Sequence, residues 1–143
     1  MIELIPLCTA VVDVAPSLVV GAGAAGERSV GAFTGATIKG ERVNGTLAGP
    51  GGADWIIRTG AIGVIDVRLT IRTDDGALIH ITYGGRLDLS NPAQGITAYV
   101  APVFETGDAR YAWLNKVQGV GKGKLSIKAG GAAQLEYEFY EVR

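Results

Sequence analysis

The sequence predicts an all-β fold, an antiparallel barrel or sandwich of short strands. Three observations point there. The 143 residues contain 22 glycines, spread in short clusters such as Gly51-Gly52, Gly84-Gly85 and Gly130-Gly131. Between the clusters lie short runs rich in Val, Ile, Thr and Tyr, the residues that suit a pleated, half-buried surface. The stretch 64–85, "VIDVRLTIRTDDGALIHITYGG", alternates apolar and polar residues with a period of two. That period is the mark of a strand with one apolar face.

This stretch also fixes a register. Ile65, Val67, Leu69 and Ile71 alternate with Asp66, Arg68, Thr70 and Arg72. A three-residue turn Asp74-Asp75-Gly76, with Gly76 left-handed, pairs Ile71 with Ile79, Leu69 with Ile81 and Val67 with Tyr83. A two-residue turn would set Ile71 against His80 and exchange the faces, so the longer turn is predicted. The polar face then carries Asp66, Arg68, Thr70, His80 and Thr82.

The C-terminal segment "KLSIKAGGAAQLEYEFYEV" reads as strand, Gly-rich turn and strand. Leu135, Tyr137 and Phe139 share one face, and Glu136, Glu138 and Tyr140 the other. A short helical turn is expected only around Pro92, with Asn91 as its cap. The length fits one domain spanning 1–143 and needs no disulfide to build its core.

"LVVGAGAAGERSVG", residues 18–31, carries the spacing G-x-G-x-x-G at Gly21, Gly23 and Gly26. In a dinucleotide site those glycines open a helix inside a βαβ unit. Here more glycines and β-branched residues follow, and no 3.6-residue period survives. The stretch is expected to join two antiparallel strands.

Thirteen Lys plus Arg against 14 Asp plus Glu give a net charge of −1. No basic excess is present to neutralise phosphates, so no nucleic-acid partner is expected. Cys8 is the only cysteine and His80 the only histidine, a poor basis for a metal site or a Cys–His dyad. The expectations are no metal, no cofactor, no membrane partner and a reducing cytoplasm.

Several residues could carry chemistry. Asp54 and Trp55, in "PGGADWIIR", are expected at the start of a strand just after a turn. There the carboxylate serves either as a base or hydrogen-bond acceptor for a ligand or as a cap of its own turn. "FETGDARYAWLN" gathers Glu105, Asp108, Arg110, Tyr111, Trp113 and Asn115. If its end is extended, Tyr111, Trp113 and Asn115 share a face that could hold a flat ligand. Otherwise the run plugs the barrel, with Trp113 in the core and Asn115 satisfying loop backbone. Asp66 and Arg68 form either a surface pair or an anchor for an anion or carbonyl inside a cavity. His80 is the one imidazole able to work near neutral pH, and Tyr83 joins the ligand-binding set.

Three pieces, "GGADW", "TDDGA" and "ETGDARYAWLN", resemble in order and over nearly the full length the domain-of-unknown-function family 3237. The resemblance implies a compact antiparallel β-barrel, lipocalin-like in appearance, with self-association into a homodimer or higher homo-oligomer. It implies no single established reaction. Its recurring polar positions match Asp54, Trp55, Asp66, Arg68, Glu105, Tyr111, Trp113 and Asn115, whereas His80 departs from the phenol more usual there.

The functional expectation is a barrel that binds a small organic carbonyl or phenolic compound and performs cofactor-independent acid–base chemistry. A lyase, isomerase, hydratase or cyclase step would suit. Asp54 or Glu105 would move the proton, Arg68, Tyr111 or Asn115 would stabilise an oxyanion, and Trp55 and Trp113 would frame the ligand. A non-catalytic carrier or sensor and a self-assembling structural subunit are the alternatives.

Overall fold

A computed structural model describes residues 1–143. Ten strands follow one another: β1 (Leu4–Val14), β2 (Leu18–Gly23), β3 (Gly26–Lys39), β4 (Gly45–Thr59), β5 (Ile62–Thr73), β6 (Leu78–Asp88), β7 (Ile96–Val100), β8 (Val103–Glu105), β9 (Gly119–Ile127) and β10 (Ala133–Val142). Eight of them close an antiparallel barrel. Neighbours run β1-β10-β9-β7-β6-β5-β4-β3, and β1 pairs with β3 to complete the ring. β2 extends β3 as a flanking hairpin, and β8 pairs with β6 beside β7. The all-β barrel read from the sequence is the fold observed.

The β5–β6 hairpin has the predicted register. Ile71 faces Ile79, Leu69 faces Ile81 and Val67 faces Tyr83. Gly76 has a φ of 93°, the left-handed conformation that a residue without Cβ adopts without strain. Thr73 N–H donates to the Ala77 carbonyl at 2.8 Å and closes the turn. Ile71, Ile79 and Ile81 are fully buried at the centre of the core. The polar face lies outside, where the Thr70 hydroxyl and His80 Nδ1 are 3.1 Å apart.

The core fills because small residues on one strand face large ones on the next. On β9, Gly121 and Gly123 pair with Phe139 and Tyr137 of β10. A Cβ on Gly123 would lie 2.5 Å from the Tyr137 ring, and one on Gly121 equally close to Phe139. The two rings lie flat over these glycines and stack on each other at 5.2 Å. Cross-strand pairing of aromatic and glycine thus sets where Tyr137 sits.

Residues 18–31 form the β2–β3 hairpin. Ala22 pairs with Glu27 and Gly23 with Gly26, and no helix opens after the glycines. The dinucleotide spacing is a hairpin turn, as expected.

Two features differ from the sequence reading, and one alternative is decided. Asn91 caps the 3-10 turn Pro92–Gln94 by position, but its side chain makes no capping bond. Asp54 and Trp55 do not start a strand. β4 is already under way at Gly45, and the "AGPGG" stretch is a bulge that shifts the pairing with β5 between Leu47 and Gly52. Pro50 lacks an N–H to donate, and Gly49 is left-handed with a φ of 55°, so the ladder yields there without ending. Of the two readings of the run after Gly107, the plug is the one found, and the run is not extended. Ala109–Lys116 is a 3-10 helix, started by Asp108, whose carboxylate accepts from the Arg110 N–H at 2.9 Å.

That helix plugs the barrel end that carries the β5–β6 turn. Leu114 is completely buried in the core. The Tyr111 hydroxyl donates to the Asp75 carboxylate, with its two oxygens 2.8 and 2.9 Å away. The Arg42 guanidinium lies 4.5 Å over the Trp113 ring. Hydrogen bonds from Thr73 and then Tyr111 hold Asp75 below the usual carboxylate range. No helix is long and apolar enough to cross a membrane.

Candidate active site

The opposite end of the barrel holds a cavity of about 160 Å³. Seven of the eight barrel strands contribute to it, all except β7. Its walls are aliphatic, with Ile56, Ile65, Leu87, Leu125 and Leu135 among them, and Ile127 and Ser17 stand at its margin. The polar side chains that matter are Asp54 and Tyr137, with Tyr83 beneath them.

Asp54 faces inward because of the bulge. Past it, β4 resumes with Gly52 opposite Leu69 and Asp54 opposite Val67, both partners being core residues. Side chains alternate along a strand, so Asp54 and Ile56 share the lumen face and Trp55 points out. On the other side Asp54 pairs with Gly31 of β3. A Cβ at Gly31 would lie 2.8 Å from a Val14 methyl, so that wall stays bare.

The ladder between β4 and β5 opens next to Asp54. Pairing stops at Asp54–Val67 and resumes at Ile57–Val64. In the interval the Asp66 N–H donates to Asp54 Oδ1 at 3.0 Å. The Trp55 carbonyl accepts from Arg28 Nη1 at 2.6 Å. Two backbone groups outside the ladder are thereby satisfied, one of them by the lumen carboxylate.

Burial pushes the Asp54 carboxyl up to about 6, against the lowering effect of the Asp66 N–H, and the Asp66 charge adds to the rise. Tyr83 and Tyr137 are both buried, and their phenols lie well above their ordinary value, chiefly through desolvation. The charge of Asp54 contributes to both. Their rings meet edge to face, with centroids 5.6 Å apart. The Tyr83 hydroxyl has no hydrogen-bond partner. Its ring also borders a void of about 10 Å³ with Phe139 and Ile81. A phenol buried without a partner is a costly arrangement, and the Tyr137 phenol packed against it is the one that lines the cavity.

The sequence profile of the family described as "Protein of unknown function (DUF3237)" matches residues 2–142. The chain belongs to this family. Curated relatives of the DUF3237 chain include two UPF0311 proteins of Rhodopseudomonas palustris, each 30% identical. The matches span 62 and 67% of this chain and 66 and 71% of the relatives. Among solved structures, a β-barrel-like protein from Acinetobacter baumannii is 31% identical with a TM-score of 0.82, covering 100% of this chain and 97% of that one. A protein from Penicillium herquei described as an enzyme is 25% identical with a TM-score of 0.69, covering 100% and 94%.

The DUF3237 barrel separates the residues that the sequence suggested as a group. Only Asp54 lines the cavity, and Tyr83 is buried in the core beneath it. Trp55, Asp66, Arg68 and His80 lie on the outer face. Arg68 sits 4.9 Å over the Trp55 ring and pairs loosely with Asp66 at 3.5 Å, both side chains being more than half exposed. Glu105 pairs with His80 across β8 and β6 and is exposed. Tyr111, Trp113 and Asn115 belong to the plug at the far end. Asn115 closes its own loop, donating to the Thr106 carbonyl and accepting from the Thr106 N–H, both at 2.9 Å. Glu105, Arg68 and Tyr111, expected beside Asp54, therefore do not meet it. Outward alternation places the first two, and the 3-10 helix places the third.

Tyr137 is the residue that sequence reasoning missed. It was placed on one strand face with Leu135 and Phe139 and given no role. The available signal was a phenol at an inward position of a strand facing Gly123, a second inward phenol being Tyr83.

Proposed function

We propose that the lumen is the active site of a cofactor-independent acid–base enzyme acting on a small organic carbonyl or phenolic compound, by a lyase, isomerase, hydratase or cyclase step. One observation carries the proposal: a buried carboxyl whose burial pushes it up to about 6 shares an apolar cavity with the Tyr137 phenol. Asp54 has the proton affinity that a general acid or base needs near physiological pH. Its hydrogen bond from Asp66 fixes one oxygen and leaves the other available. Tyr137 would donate to the substrate oxygen as charge develops there, in a site where little water competes. The Penicillium herquei protein of the same fold, described as an enzyme, supports a catalytic role.

The test is turnover of a panel of small carbonyl and phenolic compounds by the wild-type chain and by Asp54→Asn. The variant is expected to lose turnover by about a hundredfold or more, the usual range for removing a general acid–base group. Full retention would overturn the assignment. Tight stoichiometric binding with no conversion would instead favour a carrier or sensor. A homodimer or higher homo-oligomer working in the cytoplasm completes the proposal, and light scattering of the purified chain tests the assembly.

A further inference from the structure

The cavity has no cation of its own. No Lys, Arg or His lines it. The arginines at that end of the barrel are engaged with backbone on the outer surface: Arg28 with the Trp55 carbonyl, Arg58 with Gly60 and Arg86 with Gly85. Lys128 follows Ile127 on the exposed loop outside. The charged groups around the lumen are all acidic or phenolic, namely Asp54 on β4, Tyr83 on β6 and Tyr137 on β10, with Asp66 of β5 behind. β1, β3 and β9 add only Val14, Gly31, Leu125 and Ile127.

We propose that the lumen selects ring-sized molecules presenting one neutral hydrogen-bond-accepting oxygen over their anionic counterparts, and rejects carboxylates and phosphates. This rests on the lumen being the binding site of the proposed function. An anion there would lose its hydration and find no counter-charge. Beside an ionised Asp54 it would also be repelled. A neutral carbonyl or phenol oxygen faces neither cost, and it can accept from the Tyr137 hydroxyl, whose side chain lines the cavity. An ammonium would instead pair with an ionised Asp54, so the discrimination is against anions. The size follows from the volume: about 160 Å³ is close to a cavity that holds one benzene-sized guest.

The experiment uses six-membered-ring probes of nearly equal size: cyclohexanone, phenol and benzoate. Binding is followed by protein-observed NMR at pH 7.5 with the full chain. Cyclohexanone and phenol are expected to bind at least tenfold tighter than benzoate, with shifts centred on Asp54 and Tyr137. Tyr137→Phe should weaken cyclohexanone binding at least fivefold while its folded spectrum is retained. Ala133→Leu, at the cavity margin, should weaken every probe. Benzoate binding as tightly as cyclohexanone would overturn the selectivity, as would no binding by any probe. If neutral probes bind in the lumen and the full substrate panel gives no turnover, the selectivity stands and the enzymatic reading falls. Binding outside the lumen removes both.

Discussion

Asp54 accepts a hydrogen bond from the backbone of Asp66, its neighbour across a break in the β4–β5 ladder, while the Asp66 carboxylate lies exposed on the other side of the sheet. One strand thus supplies an N–H to the lumen and a negative charge to the outside. The two act on Asp54 in opposite directions, and burial outweighs both.

Stability should fall with rising pH because of Asp54. Its carboxyl titrates at about 6 in the folded chain against 3.8 when unperturbed. The folded state therefore holds the proton more tightly than the unfolded one. The contribution is favourable below pH 4 and is lost as pH rises from about 4 to about 6. The loss is about 3 kcal/mol at neutral pH, at 1.36 kcal/mol per pH unit. Asp54→Asn should be at least as stable as wild type at pH 7, and the difference between them should shrink toward pH 4. Urea unfolding across that range measures it.

Tyr83→Phe should leave stability unchanged or raise it by about 1–2 kcal/mol, because the hydroxyl removed is buried without a partner. Calorimetry at neutral pH reads the effect. A loss beyond about 1 kcal/mol would mean that the hydroxyl has a partner in solution.

Gly123→Ala should cost about 1–3 kcal/mol, the range for overpacking, because its methyl would strike the Tyr137 ring. It should also weaken ligand binding, since the displaced ring lines the cavity. Gly107→Ala, where a Cβ meets nothing within 4 Å, is the matched control and should leave binding unaltered.

The far end of the barrel should contribute to stability and not to chemistry. Leu114→Ala is expected to cost about 2–5 kcal/mol, as for a buried leucine. Tyr111→Phe removes an exposed bond to Asp75 and should cost about 1 kcal/mol or less. In both variants the pH profile of turnover should match wild type, as it should in Arg68→Ala and Glu105→Gln on the outer face.

Much of the fold was legible because alternation is a local property. In the β5–β6 hairpin, turn chemistry at Gly76 and the facing isoleucines left one consistent register, and the chain adopts it. Alternation also placed Asp66, Arg68 and His80 together on one face. Which face was the lumen could not be read from one strand, because that depends on closure of all eight. The bulge at 48–51 hid the orientation of Asp54, since extra residues shift the phase of everything after them. The run 104–115 stayed open between a strand face and a plug because Tyr111, Trp113 and Asn115 alternate as a strand would. The capping carboxylate of Asp108 and the clamp between Asn115 and Thr106 decide for a 3-10 helix. Tyr137 was passed over because a phenol between Leu135 and Phe139 looks like core until the cavity above it is seen.

The central claim is that the lumen carboxyl is tuned for proton transfer, and the titration of Asp54 tests it most directly. Carbon-detected NMR of the aspartate carboxyls in the ligand-free chain, assigned by Asp54→Asn, gives that midpoint. A midpoint near 6 is the result predicted. A midpoint near 4, the ordinary value of an aspartate, would contradict it.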